Sequence, residues 1–366
     1  PREDREILLR FAAFRNTFSV DWFSHIGGIL PSQIFSLMSG LIRNRWLIPD
    51  QKRKGYYSWT EEFPRDSLIE RMPPDKRSLY LRDAIDILRR YVPEGDLQPH
   101  DVAGLCLRAG IRESDLQVIL HAAVKDEENH RIGSAILFYD AILNYLEEKS
   151  PDGEMLTGEL AGIFIAAVES RASLSLLYPD LKRIKPRLDR ALEAAVRENN
   201  ATAQGSLELL MGQHHWMFFQ YDHAAAHFQR GWDVIRGIDE PKLKKRALQM
   251  RGLSCWISGE LARAVQLYED SLEELDQIGP DTFSLVTGLH LALCYTQVGM
   301  PQRGLGLSET IYSLAKKNEN RPLMAFALAN TGLILFELRQ PNCRAYFEMA
   351  LDMARKESIP MAEVLA

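Results

Sequence analysis

The 366-residue sequence contains no phosphate-binding loop. GxxxxGK(S/T) occurs nowhere, so nothing in this chain is equipped to cradle a nucleoside triphosphate. Cysteine is scarce: Cys106, Cys255, Cys294 and Cys343 are scattered, with no CxxC, which excludes a disulfide framework or thiolate metal site and reads as reduced packing residues in a cytosolic protein. The longest apolar run, LAGIFIAAV at 160–168, lies between Glu159 and Glu169 and is far short of the roughly 20 residues that span a bilayer. With no signal peptide ahead of it, neither a membrane nor secretion is expected. Catalytic constellations are missing too: no paired carboxylates, no nucleophile elbow, no Gly-rich loop. HHWMFFQYDHAAAH holds His214, His215, His223 and His227, of which His223 and His227 at i, i+4 could share a metal. No HExxH glutamate accompanies them, so packing and pH-sensitive surface roles are expected instead. The acidic DEEN at 126–129 reads as a solvated helix end. The chain is therefore expected to be non-enzymatic, without metal or cofactor.

What the sequence does have is a repeat. In GLSCWISGELARAVQLYEDSL, residues 252–272, Gly252 permits a close helix approach, Gly259 makes a tight turn, and Ala264, Tyr268 and Ser271 face back from a second helix. Stepping 40 residues from Gly252 gives Gly212, Ala292 and Gly332, with a weaker match at Ala172. Twelve residues after the anchors come Ala224, Ala264, Gly304 and, after a one-residue deletion, Cys343. An aromatic usually follows four positions later, at Phe228, Tyr268 and Phe347; Ser308 is the exception and Leu188 stands in the weak copy. Ala191, Gly231, Ser271, Ile311 and Ala350 close the pattern. This resembles the tetratricopeptide repeat with each 34-residue unit lengthened by about six. About five long-helix repeats are expected over 160–366, preceded by a helical linker and degenerate first repeats over 66–159.

In such a unit the first helix lines the concave surface, six and three residues before the anchor and one and four after it. Those positions hold Arg246, Gln249, Leu253 and Trp256 in the copy around Gly252. Gln213, Trp216, Leu289, Leu293, Phe326, Leu333 and Phe336 extend the stripe into neighbouring copies. A groove floored by aromatics and leucines suits a peptide, a partner protein or a small-molecule inducer. The same residues would also serve as core if superhelical curvature closed the stack.

Residues 1–65 differ in kind. DREILLRFAAF, FSVDWFSHIGG after Ser19, and SQIFSLMSGLIRNRW behind Pro31 read as three helices; WLIP, the turn KRKG and YYSWT follow as a hairpin, expected to be the chain's only sheet. That order is a winged helix. Arg43, Arg45, Lys52, Arg53 and Lys54 could meet phosphates or a neighbouring domain at the third helix and wing. The third helix is mostly apolar, through Ile34, Phe35, Leu37, Met38, Leu41 and Ile42, and residues 1–72 carry 11 basic against 9 acidic side chains. Both facts argue against reading DNA.

LMSGLIRNRWLIPDQKRKGYYSWTEEF, then LIERMPPDKRSLYLRDAIDIL, then DVAGLCLRAG resembles the join between winged helix and helical repeats in signal-transduction ATPases with numerous domains, a family that includes maltose-type transcription activators. Met72, Pro73, Pro74, Asp75, Lys76 and Arg77 match its helix-start phrase. The resemblance implies a switch, in which the winged helix packs on a nucleotide-binding domain and the repeats receive an inducer or partner. ATP or ADP would then bind only in a domain upstream of Pro1, and the chain, a bacterial signalling fragment on this reading, would be the regulatory and sensor portion. Its last segment, ESIPMAEVLA, reads as the opening of a further helix. The alternative is a standalone tetratricopeptide adaptor, which would not need the winged helix.

Overall fold

The structure, a computed structural model, describes residues 2–14, 17–23, 30–92, 98–129, 131–150, 156–175, 181–272 and 282–357. It divides into two units, residues 1–151 and 152–366.

In the first unit an amphipathic helix α1 (Arg2–Ala12) leads into strand β1 (Phe18–Ser19) and a 3-10 turn at Val20–Phe23. Helix α2 (Pro31–Arg43) starts at a proline whose missing N–H costs nothing there. Strands β2 (Leu47–Pro49) and β3 (Tyr56–Trp59) form the hairpin around KRKG. The second expected helix is corrected: Phe18 and Ser19 are extended and pair antiparallel with Tyr57 and Tyr56, giving a three-stranded sheet ordered β1-β3-β2. The remainder of that expected helix, residues 24–28, lies outside the described residues. Ring burial accounts for the change. The extended strand puts Phe18 against Phe11 at 5.2 Å and Phe14 at 5.8 Å, and Phe23 packs edge-on to Phe11 at 4.6 Å.

Five helices complete this unit: α3 (Glu62–Glu70), α4 (Pro74–Tyr91), α5 (Pro99–Ala109), α6 (Leu116–Glu128) and α7 (Ile132–Lys149). The Met72–Arg77 phrase forms the start of α4, with Pro73 and Pro74 at its first positions. Glu128 and Asn129 of DEEN are exposed, but Asp126 is not solvated: it is fully buried, holding His100 at 2.6 Å and Arg131 at 3.1 Å. Glu127 accepts from the Tyr139 hydroxyl at 2.9 Å, and burial raises its carboxyl pKa.

The second unit is a tetratricopeptide-like stack of five helix pairs among the described residues. They are α8 (Gly158–Ser175) with α9 (Leu181–Arg197), α10 (Ala201–Met217) with α11 (Tyr221–Ile235), α12 (Pro241–Ile257) with α13 (Leu261–Ser271), α14 (Thr282–Gln297) with α15 (Pro301–Lys317), and α16 (Arg321–Glu337) with α17 (Cys343–Glu357). The closing segment after Glu357 lies outside the described residues. LAGIFIAAV lies within α8, buried apart from Leu160, Gly162 and Ala166, and no described helix is long and apolar enough to cross a membrane.

The anchors sit where the two helices of a pair touch. A Cβ on Gly252 would come within 2.7 Å of the Tyr268 ring, one on Gly332 within 2.8 Å of Phe347, and one on Gly212 inside contact distance of Phe228. The fourth pair inverts the arrangement. Its anchor is Ala292, the ring is replaced by Ser308, and glycine moves to the second helix at Gly304, which lies directly against the Ala292 carbonyl. Ser308, fully buried, bonds the Ala327 carbonyl at 3.2 Å and the Thr331 hydroxyl at 2.9 Å. Gly205, which falls between anchors, is in contact too: a Cβ there would lie 2.5 Å from Ile235.

Each first helix of the three middle pairs and the last ends alike. Phe219, Gly259, Gly299 and Arg339, forty residues apart, have φ of 59, 78, 87 and 54°. The next N–H in each case bonds a carbonyl five residues back, as in Glu260 to Cys255 at 2.8 Å. This is the left-handed helix stop that favours glycine.

Candidate binding surface

First helices touch one another along the stack, α8 to α10, α10 to α12, α12 to α14 and α14 to α16, whereas second helices meet mainly first helices. First helices therefore form the tighter, inner side. Three registers lie on it. Six before the anchor stand Ala166, Ser206, Arg246, Val286 and Phe326; three before, Glu169, Leu209, Gln249, Leu289 and Ala329; one after, Ser173, Gln213, Leu253, Leu293 and Leu333. Polar side chains occur in these registers on α8, α10 and α12, mixed with Leu209 and Leu253, whereas α14 and α16 carry apolar ones throughout; Leu209, Gln249, Leu253, Leu289 and Ala329 are buried.

At the polar end, the Arg246 guanidinium donates to Gln213 Oε1 at 3.1 Å across the α10–α12 contact. Glu169 joins them: burial raises its carboxyl pKa, against a hydrogen bond from Ser206 and the positive charge of Arg246. Gln213 and Gln249 are both buried. Leu253 of α12 is buried; at the apolar end Leu289 is buried, Leu293, Leu333 and Phe326 are half-buried, and Phe336 is 62% exposed.

Between the ends lies an aromatic ledge. Trp216 of α10 and Trp256 of α12, both half-buried, meet His290 of α14 at ring distances of 5.9 and 5.5 Å. The Trp256 indole N–H donates to Gln297 Oε1 at 2.7 Å. His290 was not among the residues singled out from the sequence. It lies two before the anchor, where Leu210 and Met250 precede it and Asn330 follows, and that apolar column turning polar was its signal. Asn330 is buried and donates to the Leu289 carbonyl at 2.6 Å.

Burial lowers the pKa of His290 to about 4, and burial with neighbouring His215 and Lys185 does the same for His214. Both imidazoles are neutral near pH 7. Because the folded pKa lies below the ordinary 6.5, the unfolded chain binds protons first, so stability is complete above about pH 6.5 and falls as pH drops towards 4. Urea midpoints at pH 7 and pH 5 are expected to show that loss, and His290→Phe to reduce it, His214 supplying the remainder. An unchanged pH dependence in the variant would show that His290 is solvated.

His215 stacks on His227 at 5.0 Å and His223 at 5.3 Å, and His227 Nδ1 is 2.7 Å from Glu208, which Arg230 also contacts. Among the described residues no group of three or more His, Cys, Asp or Glu side chains could hold a metal.

In the first unit Arg43, Arg45, Lys52, Arg53 and Lys54 are all exposed near the hairpin. Asp50 stands among them, accepting the main-chain N–H groups of Lys52 at 2.8 Å and Arg53 at 3.0 Å, bonds that lower its pKa. The Arg53 guanidinium lies over the Tyr56 ring at 5.0 Å. The outer side of α2 is apolar in part, with Phe35 60% exposed.

No family model matches the chain, and no curated protein matches it significantly. Solved structures match its fold. The Rap conjugation gene regulator of the plasmid pLS20, solved in complex with a Phr peptide, aligns with a TM-score of 0.52 and 13% identity, covering 96% of this chain and 84% of its own. A signal transduction ATPase with numerous domains carrying a tetratricopeptide repeat sensor, from Pyrococcus horikoshii, aligns with a TM-score of 0.49 and 13% identity over 99% of this chain. This chain spans 58% of the length of that protein. A tetratricopeptide repeat protein from Parabacteroides merdae gives 0.48 and 14% identity over 78% of this chain and 98% of its own. At these identities the likeness is one of fold.

Proposed function

We propose that this chain is the partner-binding portion of a regulatory protein, and that a peptide segment occupies the inner surface of the stack between α8 and α16. The observation that carries this reading is the aromatic ledge. Trp216 and Trp256 remain partly accessible on successive first helices, and large amphipathic rings at the centre of a surface are the usual anchors of recognition. The graded floor suits a ligand with one polar and one apolar end. Peptide binding by the Rap regulator, whose fold this chain shares, supports the choice of a peptide.

The regulatory role rests on the family resemblance at the end of the first unit. On that reading nucleotide binding and the output module reside in other parts of a longer protein, the exposed basic residues and apolar α2 side of the first unit face a neighbouring domain rather than DNA, and the protein works in the cytosol.

The test is affinity selection from a random linear hexapeptide pool on the immobilised 366-residue chain. Trp256→Ala is expected to weaken retained peptides by about 2 kcal/mol or more. Its effect on folding should be smaller than the roughly 3 to 5 kcal/mol of a fully buried aromatic. Failure to retain any peptide would sink the reading, as would a Trp256→Ala protein that unfolds while its affinity per folded molecule is unchanged.

A further inference from the structure

Phe219, two residues past the end of α10, is 71% exposed, more than any other large apolar side chain among the described residues. Its backbone is also in the left-handed region, with φ of 59°, where a Cβ crowds the following carbonyl. At the same stop the third and fourth pairs place Gly259 and Gly299, and a Cβ at either would meet nothing within 4 Å, so glycine there answers the backbone alone. Among the described residues the other positive-φ positions that are not glycine are Arg45, Asn199, Glu319 and Arg339, all of them polar and stable in water. Phe219 combines an unfavourable backbone conformation with a bare ring. Its edge-on contact with Tyr221 at 6.3 Å offsets little of this, since Tyr221 is itself 41% exposed. The ring of Phe218, by contrast, packs on His214 at 4.9 Å.

This turn adjoins the aromatic ledge. The Phe219 N–H donates to the Trp216 carbonyl at 2.9 Å, so the two rings hang from one turn of backbone. Along α10 the inner-surface register steps through Ser206, Leu209, Gln213 and Trp216 at spacings of three and four, and three more residues reach Phe219. The third, fourth and fifth pairs offer Gly259, Gly299 and Arg339 in its place, so the ring is particular to α10.

We infer that Phe219, with Tyr221 beside it, is a specificity-determining residue at the rim of the peptide surface, and that it receives an apolar side chain of the ligand next to the one seated on Trp216. This rests on the peptide-binding reading above and narrows the class of peptide. Backbone strain that the fold itself does not offset is characteristic of ligand-contacting positions. An extended peptide advances about 3.3 Å per residue and one helical turn rises about 5.4 Å, so a segment lying across Trp216 has a side chain one or two places on within reach of Phe219. An apolar group is the one that gains there: contact removes both it and the ring from water, whereas a charged or amide group would be desolvated against carbon.

The same hexapeptide pool tests it on the full chain. Phe219→Gly installs the residue of the adjoining copies, and Phe219→Trp keeps an apolar ring. Phe219→Gly is expected to melt at or above the parent, and to retain the parent's peptides at least about tenfold more weakly, the loss of one well-seated side chain. Sequencing the retained peptides gives a readout that a structural role would not move. The parent and Phe219→Trp should enrich Leu, Ile, Val, Met or Phe at one position, and Phe219→Gly should lose that preference while keeping the others. Equal retention and the same enrichment on the parent and Phe219→Gly overturn the inference and leave the groove intact. Enrichment of Lys or Arg at the position that Phe219→Gly releases also overturns it, as does a Phe219→Gly protein that melts below the parent, because the ring would then be packed to the benefit of the fold. A parent that retains no peptide overturns the groove reading as well, and that control tells the two failures apart.

Discussion

Asp115→Ala is expected to destabilise the first unit by about 3 to 5 kcal/mol, the cost of leaving one member of a buried ion pair without the other. Asp115 is 1% exposed, accepts from Arg82 Nη1 at 2.6 Å and caps the Arg112 N–H at 2.9 Å. Arg82 also donates to the Gly110 carbonyl, so the pair ties α4 to the turn between α5 and α6. Removing the carboxylate leaves the buried guanidinium without its counter-charge. The comparison is Asp83→Ala, which breaks the more exposed pair with Arg10 and should cost under about 1 kcal/mol. Chemical denaturation followed by circular dichroism reads both. Coincident curves for Asp115→Ala and the parent would mean that Arg82 finds water.

Two glycines on one helix should respond in opposite directions. In α15, alanine at Gly304 drives its Cβ into the Ala292 carbonyl and to 2.7 Å from the Thr296 hydroxyl, and backbone cannot move aside as a side-chain tip can. The expected loss is about 1 to 3 kcal/mol. Two residues on, a Cβ at Gly306 meets nothing within 4 Å, and alanine there should stabilise by up to about 1 kcal/mol through helix propensity alone. Gly304→Ala and Gly306→Ala melting on the same side of the parent would show that the fourth pair is not packed through Gly304.

The stack was legible because helix pairing imposes a local rule: a small residue opposite a ring, at a fixed distance along the chain. Gly212 with Phe228, Gly252 with Tyr268 and Gly332 with Phe347 obey it. Even the exception at Ser308 has a partner change at Gly304 that preserves the close approach. The contact of Gly205 with Ile235 is not part of that rule, since Lys245 stands at the equivalent place in the next pair. Strand β1 was hidden for a different reason, since two residues carry no period and its conformation is decided by rings at Phe11, Phe14 and Phe23. On the inner surface, the register of Trp216, Trp256, Arg246 and Gln249 could be placed from the sequence. The part played by His290 could not, because it meets a tryptophan more than seventy residues away.

That long reach has a consequence for how the stack comes apart. Trp216 and His290 belong to the second and fourth helix pairs, so their contact skips a pair. Where repeats touch only their immediate neighbours, opening can begin at an end and advance one unit at a time. A contact that leaps over a unit removes that freedom locally: the third pair cannot loosen without disturbing the rings on either side of it. The three middle pairs are thereby bound into one cooperative block.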